Sequence, residues 1–199
     1  HAHSGEVARA EELARVNLAA FGALELDFVV VNAAGCGAAM RDYHHLLEED
    51  ASVADTVGPF VLRIRDVSEI LAEVGPIPGA PLPMAVALDS PCHLLHAQRV
   101  TDAPQRMLAA IPDLEVRLLP NADECCGGAG IYGVTHPELG GRIGADKVRE
   151  VLESAAAGAA TGNPGCMMQI GAGLRMVGSD LPVWHPVELL DESYRRAGF

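Results

Sequence analysis

Apolar residues follow two alternating patterns along the chain, one typical of helices and one typical of buried strands. The segment GEVARAEELARVNLAAF (5–21) places apolar side chains at helical spacing with charged residues between them, which predicts an amphipathic helix. The run LDFVVVN (26–32) that follows is continuously apolar, as in a strand buried on both faces of a parallel sheet. MAVALD (84–89) is a second buried run, LEVRLLP (114–120) predicts the next strand, and GAATGN (158–163) has a weak strand pattern. The alternation predicts an α/β protein with mainly parallel sheets flanked by helices.

Two parts of this pattern resemble each other. VVVNAAGCGAAM (29–40) and AATGNPGCMMQI (159–170) share the order strand, Asn, Gly-Cys, helix. Each is followed by a similar short helix, DVSEIL (66–71) in the first case and HPVELL (185–190) in the second. Order and spacing agree, so the sequence predicts two tandem pseudo-repeat subdomains.

The division between the repeats is expected in GPIPGAPLP (75–83), the most linker-like stretch of the chain. Residues 1–80 then form the first repeat and residues 81–199 the second. We expect the first repeat to be truncated, because nothing in it matches ALDSPCHLL or ECCGGAG of the second.

Composition restricts the kind of partner. The chain has 27 acidic against 14 basic residues, a formal net charge of −13, which argues against nucleic acid or an anionic membrane surface as the main partner. No apolar run reaches the ~18 residues that span a bilayer. The five cysteines are an odd number, which favours a reducing compartment and a metal or redox role over a disulfide framework. We therefore expect a cytoplasmic protein.

Every cysteine follows the carboxyl end of a predicted strand. Such ends share one edge of a parallel sheet, where ligands bind, so cysteines far apart in the chain are expected to meet there. Thiolates are ligands for iron–sulfur clusters and for zinc, although free cysteines also pack in ordinary cores. A disulfide between the adjacent pair would need a strained turn, since neighbouring Cα atoms lie ~3.8 Å apart and bridges span ~4.4–6.8 Å. The candidate metal ligands are Cys36, Cys92, Cys125, Cys126 and Cys166.

Other residues near the cysteines complete the candidate site. Gly127 and Gly128 would let the backbone approach an inorganic centre and donate N–H groups to its sulfurs. Asn163 is predicted to cap a helix and also to tune a cluster through hydrogen bonds. Cys92 and His96 have the i, i+4 spacing of a metal pair, which keeps zinc open as an alternative. The sequence has no phosphate loop, Ser-His-Asp set or paired-carboxylate site, so no catalytic residue is assigned.

The cysteine spacing carries a family resemblance. Cys92, Cys125-Cys126-Gly127 and Cys166 are spaced as in the cysteine-rich CCG domain of heterodisulfide reductases and their relatives. The segments NAAGCGAAM, DSPCHLLHAQ, CCGGAGIY and TGNPGCMMQI are most similar to the C-terminal half of the glycolate oxidase iron–sulfur subunit. The resemblance covers nearly the whole chain and implies a 4Fe-4S cluster on the last four cysteines, with Cys36 as a further candidate. Heterodisulfide reductase domains end in Cys-x-x-Cys, whereas this chain has only Cys166 at that place.

The resemblance also implies a role. It predicts an electron-transfer subunit of a glycolate or other 2-hydroxy acid dehydrogenase complex, which takes electrons from flavin-bearing subunits and passes them towards quinone. Substrate chemistry would belong to those partners, and any contact with the inner face of the cell membrane would be peripheral, through the complex. In the family, a ferredoxin-like module with two clusters and a further Cys-Cys-Gly precede the region similar to this chain. The chain is therefore expected to be a fragment beginning in mid-domain, in which the cluster is retained or lost.

Two other functions stay open. One is a thiol–disulfide redox domain of the heterodisulfide reductase type, in which the cysteine centre cleaves a disulfide. The other is an interaction scaffold for a flavoprotein, bound to zinc or free of metal.

Overall fold

The computed structural model describes residues 1–199 and contains two separate parallel sheets. The first sheet pairs β1 (Val29–Val31) with β2 (Ile64–Asp66). The second has the order β4-β3-β5-β6, and each neighbouring pair is parallel. Its strands are β3 (Met84–Asp89), β4 (Leu114–Leu118), β5 (Ala159–Thr161) and β6 (Val183–Trp184). The predicted α/β class with parallel sheets is confirmed.

Helices flank both sheets. They are α1 (Val7–Gly22), α2 (Ala34–Arg41), α3 (Tyr43–Leu46), α4 (Ala54–Arg63), α5 (Val67–Val74), α6 (Ala103–Leu108), α7 (Ile131–Thr135), α8 (Pro137–Glu153), α9 (Pro164–Met176) and α10 (Pro186–Ala197). A 3-10 turn (Ala2–Ser4) precedes α1, and a π-helical turn (His93–Ala97) follows β3. None of the helices combines the length and apolar character needed to cross a membrane.

The tandem arrangement is visible in matching elements. β1 and β5 begin 130 residues apart, at positions 29 and 159, and α2 and α9 begin with the same offset, at 34 and 164. The helix that follows the next strand of each repeat opens with a capping box, formed by Asp66 and Glu69 in α5 and by His185 and Glu188 in α10. Position 80 as the boundary between two domains remains a prediction.

The two sheets differ in how far they are covered. β5 lies between β3 and β6, so its residues are fully buried, whereas its counterpart β1 pairs only with β2. Val30 of β1 is 49% exposed, while Ala160 at the matching place in β5 is fully buried. This is the difference expected from a truncated first repeat.

The core of the second repeat fixes the loops that carry most of the cysteines. On one face of the sheet, α6 and α10 bring Met107 and Leu190 onto Leu88 of β3. On the other face, α8 and α9 pack against the sheet, and the core there includes Cys126 and Cys166. The cysteine loops therefore leave the carboxyl edge of a sheet that is packed on both faces.

Candidate metal centre

The loops after β3, β4 and β5 bring four thiols to one edge of the sheet. Cys126 and Cys166 are both buried, and their Sγ atoms lie 2.9 Å apart although 40 residues separate them. Cys92 is half-buried and Cys125 is exposed. The centre therefore has a buried thiol pair and a more accessible side.

Hydrogen bonding and burial set the charge state of the thiols. The hydrogen bond with Cys166 lowers the pKa of Cys126, an effect that burial opposes. The same hydrogen bond, together with burial, raises the pKa of Cys166. Burial, followed by the charges of Cys125 and Cys126, raises the pKa of Cys92 to about 11. Cys126 is thus the more acidic thiol of the buried pair.

Nearby N–H groups point at the sulfurs. The backbone N–H of Gly127 donates to Cys125 Sγ over 3.3 Å, and the side-chain amide of Asn163 donates to Cys166 Sγ over 3.3 Å. Asn163 occupies the predicted N-cap position of α9, but its side chain makes no capping hydrogen bond to that helix. Its Oδ1 instead accepts from the backbone N–H of Gly35 over 3.4 Å.

The glycine loop is shaped by close backbone contacts. Gly127 has φ +80°, and a Cβ there would lie 2.2 Å from the carbonyl oxygen of Gly140. A Cβ on Gly128 would lie 3.4 Å from Cys126 Sγ and 3.2 Å from the carbonyl oxygen of Gly165. Gly128 thus keeps a side chain out of the space beside Cys126, and Gly127 lets the loop lie against the backbone of α8. Convergent thiols with N–H donors and such a space are a donor set that fits an iron–sulfur cluster.

Comparison with known sequences identifies the family. The chain matches the CCG family, described as "Cysteine-rich domain", over residues 1–41 and 86–171, which together contain all five cysteines. This chain belongs to the CCG cysteine-rich domain family. The resemblance drawn from its cysteine spacing is thereby confirmed.

Relatives of this CCG protein carry informative names. A Bacillus subtilis protein named "Probable glycolate oxidase iron-sulfur subunit" is 35% identical over 181 residues, which are 89% of this chain and 41% of that protein. "Lactate utilization protein A" of Bacillus thuringiensis is 28% identical over 196 residues, which are 95% of this chain and 79% of that protein. The chain thus spans less than half of the first relative and about four fifths of the second.

The remaining predicted ligands of the CCG domain lie at the margin of the centre. Cys36 is exposed and makes no hydrogen bond with another thiol. Its helix nevertheless meets the second repeat, because the N–H of Ala34 donates to the carbonyl oxygen of Gly162 over 3.1 Å. His96 Nε2 pairs with the carbonyl oxygen of Asp123 at 3.2 Å, and His93 Nδ1 lies 3.8 Å from Cys92 Sγ.

A buried ion pair behind the thiols was not anticipated from the sequence. Lys147 Nζ of α8 lies 3.1 Å from Asp89 Oδ1 at the end of β3, and the two side chains are only 2% and 1% exposed. Lys147 is the only lysine of the chain. The only sequence signal for burial was the position of Lys147 within the amphipathic pattern of α8. That signal is weak, because lysine is almost never fully buried unless it is paired.

Proposed function

We propose that this chain transfers electrons through an iron–sulfur centre at the carboxyl edge of the four-stranded sheet. The proposed ligands are the four thiols that follow β3, β4 and β5: Cys92, Cys125, Cys126 and Cys166. The observation that carries the proposal is the convergence of these thiols, above all the 2.9 Å contact between Cys126 and Cys166. A reducing compartment disfavours structural disulfides, whereas four thiolates suffice for a 4Fe-4S cluster.

Each neighbouring residue has a role in holding such a centre. Gly128 leaves room beside Cys126 Sγ, and Gly127 donates its N–H to Cys125 Sγ while it lets the loop pack against α8. The side-chain amide of Asn163 orients Cys166. Cys36, from the first repeat, is proposed only as an additional ligand. A bound cluster would supply a one-electron carrier, and substrate chemistry would belong to other subunits.

The names of the relatives support a place in 2-hydroxy acid oxidation. Glycolate and lactate, which appear in the names of the two relatives, are both 2-hydroxy acids. We propose flavin-bearing subunits as electron donors and the quinone pool as the destination of the electrons. The net charge of −13 favours protein partners over an anionic membrane, so we place the chain in the cytoplasm, peripheral to the membrane through its complex.

Anaerobic reconstitution with iron and sulfide tests the proposal directly. The wild-type chain should bind about four irons and four labile sulfides with a reducible visible chromophore. Cys126→Ser and Cys166→Ser should lose the chromophore. Cys36→Ser, which removes an exposed thiol that makes no hydrogen bond with another thiol, should keep it, because the other four thiols suffice for the cluster. A wild-type chain that takes up only zinc, or no metal, would contradict the electron-transfer role and favour the scaffold.

The same buried pair supports a second candidate, thiol–disulfide exchange. Cys126, with its lowered pKa, would attack a disulfide substrate, and Cys166 would then resolve the mixed disulfide. The products are a Cys126–Cys166 disulfide and the two thiols of the substrate, so two electrons pass from the protein to the substrate. Incubating the metal-free chain with oxidised glutathione and mapping disulfides by mass spectrometry tests this function. Recovery of both cysteines as free thiols would exclude it.

A further inference from the structure

The buried ion pair behind the cysteines belongs to a larger polar network. Asp89 Oδ2 accepts a hydrogen bond from the hydroxyl of Thr161 over 2.8 Å, while Asp89 Oδ1 faces Lys147. Lys147 also donates to the backbone carbonyl of Asn121. The side-chain amide of Asn121 in turn donates to Glu150. All of these groups lie where the second-repeat sheet meets α8.

The network joins the three segments that lead to the thiols. Asp89 is the last residue of β3, three residues before Cys92. Thr161 is the last residue of β5, two residues before Asn163. Asn121 begins the turn that leads from β4 to the adjacent cysteines. One lysine on α8 therefore bonds to two of these segments directly and reaches the third through Asp89.

A buried ion pair contributes little net stability to a fold. Removing two charges from water costs several kcal/mol per ion, and well-packed apolar residues in their place are often equally or more stabilising. Burial raises the pKa of Asp89 despite the opposing charge of Lys147, which reflects that cost. The charge of Asp89 also affects the pKa of the thiols. It adds to the hydrogen bond and burial that raise the pKa of Cys166.

We propose that Lys147 is a positioning residue for the cysteine centre. Through Asp89 and the carbonyl of Asn121, it fixes the relative placement of the three cysteine-bearing loops and balances the buried negative charge that Asp89 places near their sulfurs. The inference rests on the proposed function for its electrostatic part alone. Its geometric part concerns the metal-free chain and can be tested without a cluster.

The geometric part is tested on the metal-free full chain with a trivalent arsenical that bridges two thiols. We expect Lys147→Met to slow bridging of Cys126 to Cys166 by about tenfold or more, since small displacements of reacting groups have large effects on rate. Arg149→Met, on the same helix but exposed and paired with Asp146, is the matched control and should react like wild type. Peptide mapping by mass spectrometry identifies the bridged pair. Wild-type bridging in Lys147→Met would overturn the geometric part.

A double variant separates positioning from folding. Lys147→Met alone leaves Asp89 buried without a partner, so the variant can fail to fold for that reason. Combining Asp89→Leu with Lys147→Met removes both charges and should restore the denaturation midpoint. If Lys147 positions the loops, bridging stays slow in the refolded double variant. If it serves folding only, bridging returns to the wild-type rate and the inference is wrong.

The charge effect is tested by the reduction potential of the reconstituted chain. Lys147→Met should lower the potential and Asp89→Asn should raise it, because the two variants remove charges of opposite sign near the cluster. A purely structural role would not produce shifts of opposite sign, so shifts in one direction or none would overturn the electrostatic part. A wild-type chain that binds no iron would refute the proposed function, while the bridging experiment would still decide the role of Lys147.

Discussion

Gly127 offers the sharpest test of the geometry around the thiols. Its φ of +80° is unfavourable for any residue with a Cβ, which we expect to cost about 1–2 kcal/mol. A Cβ there would also lie 2.2 Å from the carbonyl oxygen of Gly140 and 2.9 Å from the backbone nitrogen of Gly144. Both atoms belong to the backbone of α8, so no flexible side chain can move aside. Overpacking of this kind adds about 1–3 kcal/mol.

We therefore expect Gly127→Ala to lower the free energy of unfolding by about 2–5 kcal/mol, the sum of these two costs. The chain should remain folded if its total stability lies within the usual range of about 5–15 kcal/mol. The loop would move away from α8, and Cys126 would separate from Cys166. The substitution should thus weaken the proposed iron site in addition to the fold.

Denaturant unfolding of the metal-free chain measures the effect. Gly141→Ala on α8 is the matched control, because a Cβ there meets nothing within 4 Å. In a helix interior this change should stabilise the protein by up to about 1 kcal/mol. A Gly127→Ala variant within about 0.5 kcal/mol of wild type, the range of neutral surface substitutions, would refute the described contact between the loop and α8.

Two further predictions concern the contacts of the first repeat and its junction with the second. Arg41→Ala should destabilise the chain by about 2–4 kcal/mol, because Arg41 donates to the carbonyl of Gln98 over 2.7 Å and pairs with Glu69. Equal denaturation midpoints for Arg41→Ala and for the exposed control Arg63→Ala would contradict this prediction. His185 caps α10, and burial lowers its pKa in the folded state below the ordinary value of about 6.5. At a pH near 6.5 the unfolded state therefore binds more protons than the folded state. Stability should therefore fall as the pH drops through about 6.5, and less so in His185→Asn, which keeps a capping oxygen. Parallel pH profiles of the two chains would disprove this assignment.

The sequence was sufficient to predict most of the parallel sheets. The predicted strands β1, β3, β4 and β5 lie where their patterns indicate. Residues 54–65 carried no prediction and form α4 and most of β2, whose last residue, Asp66, was expected in the helix that follows. Pro59 lies within α4, and an internal proline normally ends or bends a helix. The helix persists because its neighbours Val57 and Phe60 are buried in the core of the first repeat, a tertiary effect that local patterns do not contain.

The site could be predicted only in part, for a similar reason. Parallel topology places strand ends at one edge, which was enough to expect that distant cysteines meet there. Which thiols touch depends on loop conformation, so the pairing of Cys126 with Cys166 required coordinates. Lys147 was overlooked because a lysine on a helix is ordinarily solvated, and its partner Asp89 lies 58 positions earlier in the chain.

The repeat explains why equivalent cysteines have different environments. Cys36 and Cys166 occupy the same position after β1 and β5, yet Cys36 is exposed and Cys166 is 4% exposed. In the second repeat the loop after β4 lies over Cys166 and supplies Cys126, and no described element does the same for Cys36.

The first repeat nevertheless acts on the centre through a backbone contact. The side-chain oxygen of Asn163 accepts a hydrogen bond from the N–H of Gly35, and its side-chain nitrogen donates one to the sulfur of Cys166. The same amide therefore contacts both α2 and the buried thiol. Because an amide flip would break both bonds at once, the orientation of Cys166 is coupled to the docking of α2. We therefore interpret the thiol centre as a property of the second repeat in which the buried thiol Cys166 is oriented with help from the first.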